Sequence, residues 1–151
     1  MITIEEFKNK ITKNSRLIGL DLGSKRIGIA ISDELQSVAT PFKTIQKDNF
    51  NKFLNELKLI IKENNIKGII VGNPINMDGS LGPSAQSVKD VCSNILKNIN
   101  IPLCLWDERL STIAAFNLSS QLDIKASKKI KNIDQNAAAF ILQGVLDYLK
   151  N

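Results

Sequence analysis

The feature that most constrains the fold is the segment Arg16–Asp33, in which two apolar runs flank a short polar turn at Gly23–Lys25. Branched apolar residues on both sides of such a turn are typical of paired strands. The segment therefore predicts a β-hairpin, with Gly28 inside its second strand. A third strand over about Val38–Ile45 would extend the hairpin into an antiparallel meander, and Pro41 favours an edge or bulged position for it.

After the meander, two apolar patterns alternate along the chain: residues at helical spacing, and short continuous runs typical of buried strands. These patterns predict, in order, a helix from Phe50, a strand at Lys67–Val71, a helix from Pro83, a strand at Ile101–Trp106, a short helix from about Thr112, and a last helix at about Asp134–Leu149. Strands that alternate with helices after a meander imply an α/β domain. We expect a mixed five-stranded sheet with helices on both faces, the layout of a ribonuclease H-like fold.

With 151 residues, 43% of them apolar, the chain can bury one core. We expect residues 16–151 to form this single domain. Residues 1–15 would be an N-terminal extension, in which Thr3 and Glu6 could start a short helix as a capping box.

The absence of histidine limits the chemistry that the chain can perform. It excludes a Ser-His-Asp triad, a Cys-His pair, a paired-histidine ribonuclease mechanism and a His-ligated zinc ion. Cys92 and Cys104 lie within apolar patterns without ligand-like spacing, so we expect buried free thiols in a reducing cytoplasm. Catalysis would then depend on carboxylates, lysines or hard metal ions.

The charge balance favours a polyanionic partner. Twenty Lys and Arg residues stand against fifteen acids, a formal charge of +5, although many basic proteins bind no nucleic acid. Since no apolar stretch is long enough to span a bilayer, we expect no membrane partner. The first residues carry acids and no apolar run, which is not the pattern of a signal peptide.

Three carboxylates stand where a catalytic site could form. Asp21 interrupts an apolar strand, where a lone charge is costly, although a strand-end Asp can also accept turn hydrogen bonds. If the first and fifth strands are parallel, Glu108 meets Asp21 at their carboxyl ends; otherwise Asp107, Glu108 and Arg109 form a solvated turn with a local ion pair. Asp134 precedes a strong helix former and could be its N-cap, a metal ligand or both.

Acids gathered from separate elements would suit a hard divalent cation such as Mg²⁺, which could support phosphoryl chemistry without histidine. Polar and basic residues nearby could bind substrate phosphates: Lys25, Arg26, Asn73, Asn76, Arg109, Lys128, Lys129 and Lys131. A lysine run is usually solvated surface. The run before Asp134 nevertheless favours contact with a nucleic-acid backbone, because it adjoins a candidate catalytic acid.

Four blocks of sequence together resemble the YqgF/RuvX family, known as Holliday-junction resolvases and pre-16S ribosomal RNA nucleases. The blocks occur in the family's order, and they are Gly19–Gly28, Val71–Gly79, Asp107–Thr112 and Ile133–Ala138. Any one block is a weak signal, whereas the ordered set is specific and reaches from about Arg16 to the C-terminus.

The resemblance implies a ribonuclease H-like fold, a cytoplasmic enzyme dependent on Mg²⁺ or Mn²⁺, and products with a 5′-phosphate and a 3′-hydroxyl. It assigns Asp21, Glu108 and Asp134 to the family's acidic catalytic positions. The chain departs from the family in its N-terminal extension and in Asn73, where the family loop often has leucine.

On these grounds we expect a nuclease that acts on structured RNA or branched DNA, with the 5′ end of pre-16S rRNA as the favoured substrate. Resolution of Holliday junctions is the alternative; it requires two incisions, which a two-fold dimer supplies, so both monomer and homodimer stay open. A non-catalytic nucleic-acid-binding module is a further alternative. An ATP-binding phosphotransferase would use Asp21, Ser24 and Asp33 as a phosphate motif, but the chain lacks a duplicated domain and a glycine-rich adenosine motif.

Overall fold

The computed structural model describes residues 1–75, 78–108 and 133–150, which form a mixed sheet of five strands with helices on both faces. The elements in chain order are α1 (Ile4–Lys10), β1 (Arg16–Leu22), β2 (Arg26–Ser32), β3 (Ala39–Gln46), α2 (Phe50–Glu63), β4 (Ile66–Asn73), α3 (Pro83–Leu96), β5 (Leu103–Asp107) and α4 (Ile133–Leu149). The predicted short helix from about Thr112 and the lysine-rich link lie outside the described residues.

The sheet has the strand order β3-β2-β1-β4-β5. The first three strands are antiparallel neighbours, whereas β4 is parallel to β1 and β5 is parallel to β4. The predicted meander is confirmed, and the first and fifth strands are parallel, which is the condition under which the sequence brings Asp21 and Glu108 together. The carboxyl ends of β1, β4 and β5 consequently lie along one edge of the sheet.

The third strand has the edge position that its proline predicts. Pro41 pairs with Ala30, and the register shifts between Ile29 and Ala30, so that Phe42 is an extra residue on the edge strand. A proline has no N–H for a ladder hydrogen bond, which explains why β3 is irregular and lies at the edge.

Two separate cores lie on the two faces of the sheet. One core joins the sheet to α2 and α3 and includes Phe53, Leu57 and Ile95. The other joins the sheet to α1 and α4 and includes Phe7 and Leu142. The two cysteines are buried and free, one in each core, as predicted.

The N-terminal extension packs into the second core. Thr3 starts α1 by accepting a hydrogen bond from the Glu6 N–H at 3.2 Å, which confirms the predicted helix start. Phe7 is fully buried, and the Ile2 N–H donates to the Leu103 carbonyl at 3.1 Å on the outer edge of β5. This segment therefore covers part of a strand edge that would otherwise be open to pairing with another chain.

No helix within the described residues is long and apolar enough to cross a membrane.

Candidate active site

Asp21 lies on the face of β1 that α4 covers. Alternate residues of a strand point to the same side, and a side chain at Gly19 would collide with Leu142 of α4. Leu17 belongs to the same core as α4. Asp21, two residues beyond Gly19, therefore faces the same side and is partly buried near the end of the strand.

Gly28 brings the start of α4 beside Asp21. The two residues are direct partners in the β1–β2 ladder. A Cβ atom at Gly28 would overlap the backbone carbonyl of Asp134, so only glycine allows the first turn of α4 to lie against β2 here. This close approach places Asp134 next to Asp21, and the negative charge of Asp134 contributes to raising the pKa of Asp21.

Gly72 leaves space for the side chain of Glu108. Glu108 directly follows β5, and β4 lies between that strand and β1. A Cβ atom at Gly72 of β4 would stand 2.5 Å from Glu108 Oε1. Because this space is free of a side chain, the carboxyl group of Glu108 reaches across β4 and forms a hydrogen bond with Asp21.

The paired carboxyl groups have strongly altered acidity. Burial, the charge of Asp21 and the hydrogen bond with Asp21 raise the pKa of Glu108 to about 7, with a smaller contribution from Asp107. The pKa of Asp21 is also raised, chiefly by burial, although its hydrogen bond with Glu108 acts in the opposite direction. The pair therefore shares a proton near neutral pH, as closely spaced carboxyl groups do when they cannot both ionise freely.

Asp134 has a different partner. Its Oδ2 atom accepts a hydrogen bond from Arg26 Nε at 2.8 Å, an ion pair that links the start of β2 to the first turn of α4. Because the helix begins at Ile133, Asp134 is a first-turn residue and does not have the N-cap position that the sequence left open. An acid there also interacts favourably with the positive end of the helix.

The basic and polar residues predicted to bind substrate are only partly described. Lys25 is exposed in the turn after β1, and Arg26 holds Asp134. Asn73 ends β4, and its buried Oδ1 atom has no hydrogen-bond partner among the described residues. The other five lie outside the described residues, and they are Asn76, Arg109, Lys128, Lys129 and Lys131.

Lys47 is a basic residue near the site that the sequence did not single out. Its Nζ atom donates to the Gly23 carbonyl at 3.3 Å, and its backbone N–H donates to the Lys25 carbonyl at 2.9 Å. Pairing of β2 with β3 carries Lys47 to the turn that follows Asp21. The predicted meander contained this signal, since the end of the third strand must lie beside the first turn.

Asp33 serves the loop between β2 and β3. Its Oδ1 atom accepts hydrogen bonds from the Ser37 N–H at 2.7 Å and the Val38 N–H at 3.0 Å. The amides of Val38 and Ser37 lower the pKa of this carboxyl group. These bonds give Asp33 a structural role in a turn and weaken its assignment to a nucleotide-phosphate motif.

The donor set suits a hard divalent cation after a small rearrangement. Among residues 1–75, 78–108 and 133–150, no group of three acidic or cysteine side chains is already arranged to hold a metal ion. Two carboxyl groups are nevertheless held in contact against their mutual repulsion, and the third acid is engaged by Arg26. Oxygen ligands in this setting fit Mg²⁺ or Mn²⁺.

The mixed sheet and the helices on its two faces define a ribonuclease H-like protein, with acids at the ends of two parallel strands and in the helix that crosses the sheet. Two solved structures share this fold. Thermus thermophilus RuvC in complex with a Holliday junction substrate has a TM-score of 0.55 at 9% identity, over 89% of this chain and 96% of its own. The yeast mitochondrial Holliday junction resolvase Ydc2 has a TM-score of 0.52 at 13% identity, over 97% of this chain and 84% of its own.

The family follows from the sequence comparisons. Residues 15–148 match the family described as "RuvX: Holliday junction resolvase". A relative from Pelagibacter ubique (strain HTCC1062) is 70% identical over 151 residues, the full length of both chains. A relative from Ruegeria pomeroyi is 43% identical over 149 residues, which are 99% of this chain and 97% of the relative. Both relatives are provisionally named pre-16S rRNA nucleases, and this chain belongs to the RuvX family of nucleic-acid hydrolases.

Proposed function

We propose that the chain is a metal-dependent endonuclease that hydrolyses nucleic-acid phosphodiester bonds and processes the 5′ end of pre-16S rRNA in the cytoplasm. The observation that carries the proposal is the hydrogen-bonded contact between Asp21 and Glu108, with Asp134 beside it. A fold that forces buried carboxyl groups together destabilises itself. Such an arrangement with raised pKa values is a feature of catalytic sites.

Asp21 and Glu108 would hold Mg²⁺ or Mn²⁺, and Asp134 would join them once it leaves Arg26. A divalent cation bound there would polarise the phosphate under attack and offset the negative charge that develops on it. The carboxyl ends of parallel strands fix the direction of the first two acids, and the first turn of α4 fixes the third. Strands and a helix, rather than loops, would therefore support the acids that hold the reacting phosphate.

Basic side chains beside the acids would position the substrate backbone. Lys25, Arg26 and Lys47 gather at the β1–β2 turn, next to Asp21. Cationic contacts of this kind orient a nucleic acid without reading its sequence. Asn73, which is partly exposed at the end of β4, would add a polar contact to the substrate. The proposed substrate-binding set also keeps the five predicted residues outside the described part of the chain, Asn76, Arg109, Lys128, Lys129 and Lys131.

The choice of RNA as substrate rests on the relatives, which carry the name of a pre-16S rRNA nuclease along the full length of the chain. The family description supports the second candidate, a resolvase of branched DNA. A resolvase must make two paired incisions, so it would act as a two-fold homodimer, whereas cleavage near one RNA end needs only a monomer.

One experiment separates these candidates. End-labelled precursor 16S RNA and a labelled four-way DNA junction are incubated side by side with purified protein and Mn²⁺. We expect the RNA to be cut to a 5′-phosphate product, and Asp21→Asn to abolish the cut. Asp90→Asn, an exposed acid on α3, is the matched control and should cut like the wild type.

Paired incision of the junction without RNA cleavage would contradict the role in rRNA processing and favour resolution of Holliday junctions. Binding of both substrates without cleavage of either, in protein that is folded and loaded with metal, would contradict the nuclease proposal and leave a binding module. Tight ATP binding without nuclease activity would revive the phosphotransferase alternative.

A further inference from the structure

Within the described residues, an ion pair between Arg26 and Asp134 joins the start of β2 to the first turn of α4. The Arg26 Nε atom lies 2.8 Å from Asp134 Oδ2, and the two residues are 108 positions apart in the chain. The Arg26 side chain is 54% exposed and that of Asp134 is 26% exposed. Ion pairs this close to solvent contribute little to folding stability, so stability alone is a weak reason for the contact.

The contact divides the three acids into two groups. Asp21 and Glu108 are hydrogen-bonded to each other, whereas Asp134 forms an ion pair with the guanidinium group of Arg26. Asp134 can face a bound metal ion only if the guanidinium group of Arg26 moves away. A long, half-exposed side chain is able to move.

Guanidinium groups also bind phosphate well, with two parallel N–H donors that match two phosphate oxygens. A phosphate lying over the acids would stand beside the β1–β2 turn from which Arg26 projects. Arg26 therefore has two alternative anionic partners within one site, the carboxylate of Asp134 and a phosphate of the substrate.

We propose that Arg26 is a stand-in cation that holds Asp134 in the metal-free site and transfers to a substrate phosphate when a divalent ion binds Asp134. The inference rests on the proposed function, because it requires Asp134 to be a metal ligand. Arg26 is here a positioning residue for Asp134 and a binding residue for the substrate. The exchange makes metal and nucleic acid favour each other's binding, since each removes one partner of the Arg26–Asp134 pair.

The first test measures Mn²⁺ binding alone, by electron paramagnetic resonance of free Mn²⁺, at moderate salt and without nucleic acid. Arg26→Gln removes the competing cation, and we expect its Mn²⁺ affinity to rise about fivefold or more. Arg26→Lys keeps the charge and should fall between the wild type and Arg26→Gln. Lys25→Gln removes a neighbouring charge that forms no ion pair with an acid in the part of the chain that the structure describes. Screening should keep its effect on Mn²⁺ affinity below about twofold.

A double-mutant cycle shows whether Arg26 acts through Asp134. We expect Asp134→Asn to weaken Mn²⁺ binding, and Arg26→Gln to have no further effect in that background. An equal gain from Arg26→Gln with and without Asp134 would overturn the inference, because it would reflect general charge. Thermal unfolding in EDTA verifies that every variant is folded.

The second test measures the predicted coupling with a probe that cannot be cut, a fluorescent 2′-O-methyl RNA oligonucleotide. Mn²⁺ should raise the affinity of the wild type for this probe about fivefold or more, and this gain should shrink to below about twofold in Arg26→Gln. A gain of unchanged size in Arg26→Gln would contradict the exchange of partners.

The outcomes also separate this inference from the function on which it rests. If Asp134→Asn leaves Mn²⁺ affinity unchanged, Asp134 is not a ligand, and both the proposed metal site and the role of Arg26 are wrong. If Asp134→Asn weakens Mn²⁺ binding while Arg26→Gln leaves it unchanged or weaker, only the role of Arg26 is wrong.

Discussion

The two faces of the sheet are built from different kinds of residue. On the face covered by α2 and α3, the strands present large branched side chains such as Ile18, Leu20 and Ile29, all fully buried. On the face covered by α4, the same strands present Gly19, Gly28 and other glycines that let a helix or a carboxylate come close. The α2–α3 face stabilises the fold by apolar packing. The α4 face has less side-chain packing at these glycines, and three acids lie close together there.

The difference shows how one small domain can be both stable and reactive. Burial of aliphatic groups on the α2–α3 face supplies a large share of the driving force for folding. The α4 face contains the carboxyl pair whose pKa values are raised chiefly by burial, with the charge of Asp134 adding to the rise for Asp21 and the charge of Asp21 adding to it for Glu108. Substitutions on the two faces should therefore separate stability from activity, since function commonly reduces stability where the reactive groups lie.

The largest effect is expected at Asp21. Asp21→Asn removes a proposed metal ligand, and cleavage should fall at least about 100-fold. The same change removes a buried charge, so the melting temperature in EDTA should rise by about 2–4 °C. Initial cleavage rates and thermal unfolding measure the two effects. A variant that loses stability and keeps its activity would show that Asp21 stabilises the fold and is not needed for cleavage.

The next effect comes from a matched pair of neighbours in β2. Gly28→Ala forces a methyl group into the backbone of Asp134 and should cost about 1–3 kcal/mol of folding free energy, with a large loss of cleavage because α4 must shift. Ile29→Val, one residue on and facing α2 and α3, should cost about 0.5–1.5 kcal/mol and leave the cleavage rate of the folded protein unchanged. Urea unfolding and single-turnover cleavage compare the pair. Full activity in Gly28→Ala would show that the close approach is not needed.

A change of pH should have a smaller effect on the folding stability of the metal-free protein. Between the ordinary pKa of 4.5 and the folded value of about 7, Glu108 keeps a proton in the folded protein that the unfolded chain has released. The metal-free protein should therefore lose stability as pH rises through this window, by about 1 kcal/mol or less because the site is partly exposed. Urea midpoints in EDTA across this range test the slope, which should flatten in Glu108→Gln. Mn²⁺ affinity should increase over the same range, because the ion competes with the shared proton.

The smallest effect is expected at Lys47. Lys47→Gln should weaken binding of single-stranded RNA about threefold and reduce the slope of log affinity against log salt by about 0.7–1. Lys62→Gln, in the last turn of α2, is the control and should leave the slope unchanged. Anisotropy titrations at several salt concentrations provide the measurement. Equal losses in both variants would mean that binding depends on net charge and has no preference for the β1–β2 turn.

Sequence patterns predicted the parts of the fold that depend on neighbours in the chain. The apolar runs around Gly23 defined the hairpin, and Pro41 located the edge strand with its bulge. The meeting of Asp21 with Glu108 also followed from sequence, because the carboxyl ends of parallel strands share one edge of the sheet. That prediction depended on the first and fifth strands being parallel, which the sequence left open.

Contacts between distant segments could not be predicted in the same way. Nothing local in Gly28 indicates that it lies under the backbone of Asp134, 106 residues later, since glycine in a strand is equally compatible with a bulge. The pairing of Arg26 with Asp134 and the docking of residues 1–15 on β5 depend likewise on packing between whole elements. Sequence therefore located the acids but did not reveal their partners.

The central claim is that Asp21, Glu108 and Asp134 together hold a divalent ion, and anomalous diffraction from a Mn²⁺-soaked crystal tests it most directly. The account predicts a Mn²⁺ peak within about 2.0–2.3 Å of oxygen atoms from Asp21 and Glu108. Asp134 should have moved from Arg26 to the ion. A peak bound elsewhere on the protein, with the Asp21–Glu108 and Arg26–Asp134 pairs unchanged at saturating Mn²⁺, would contradict it.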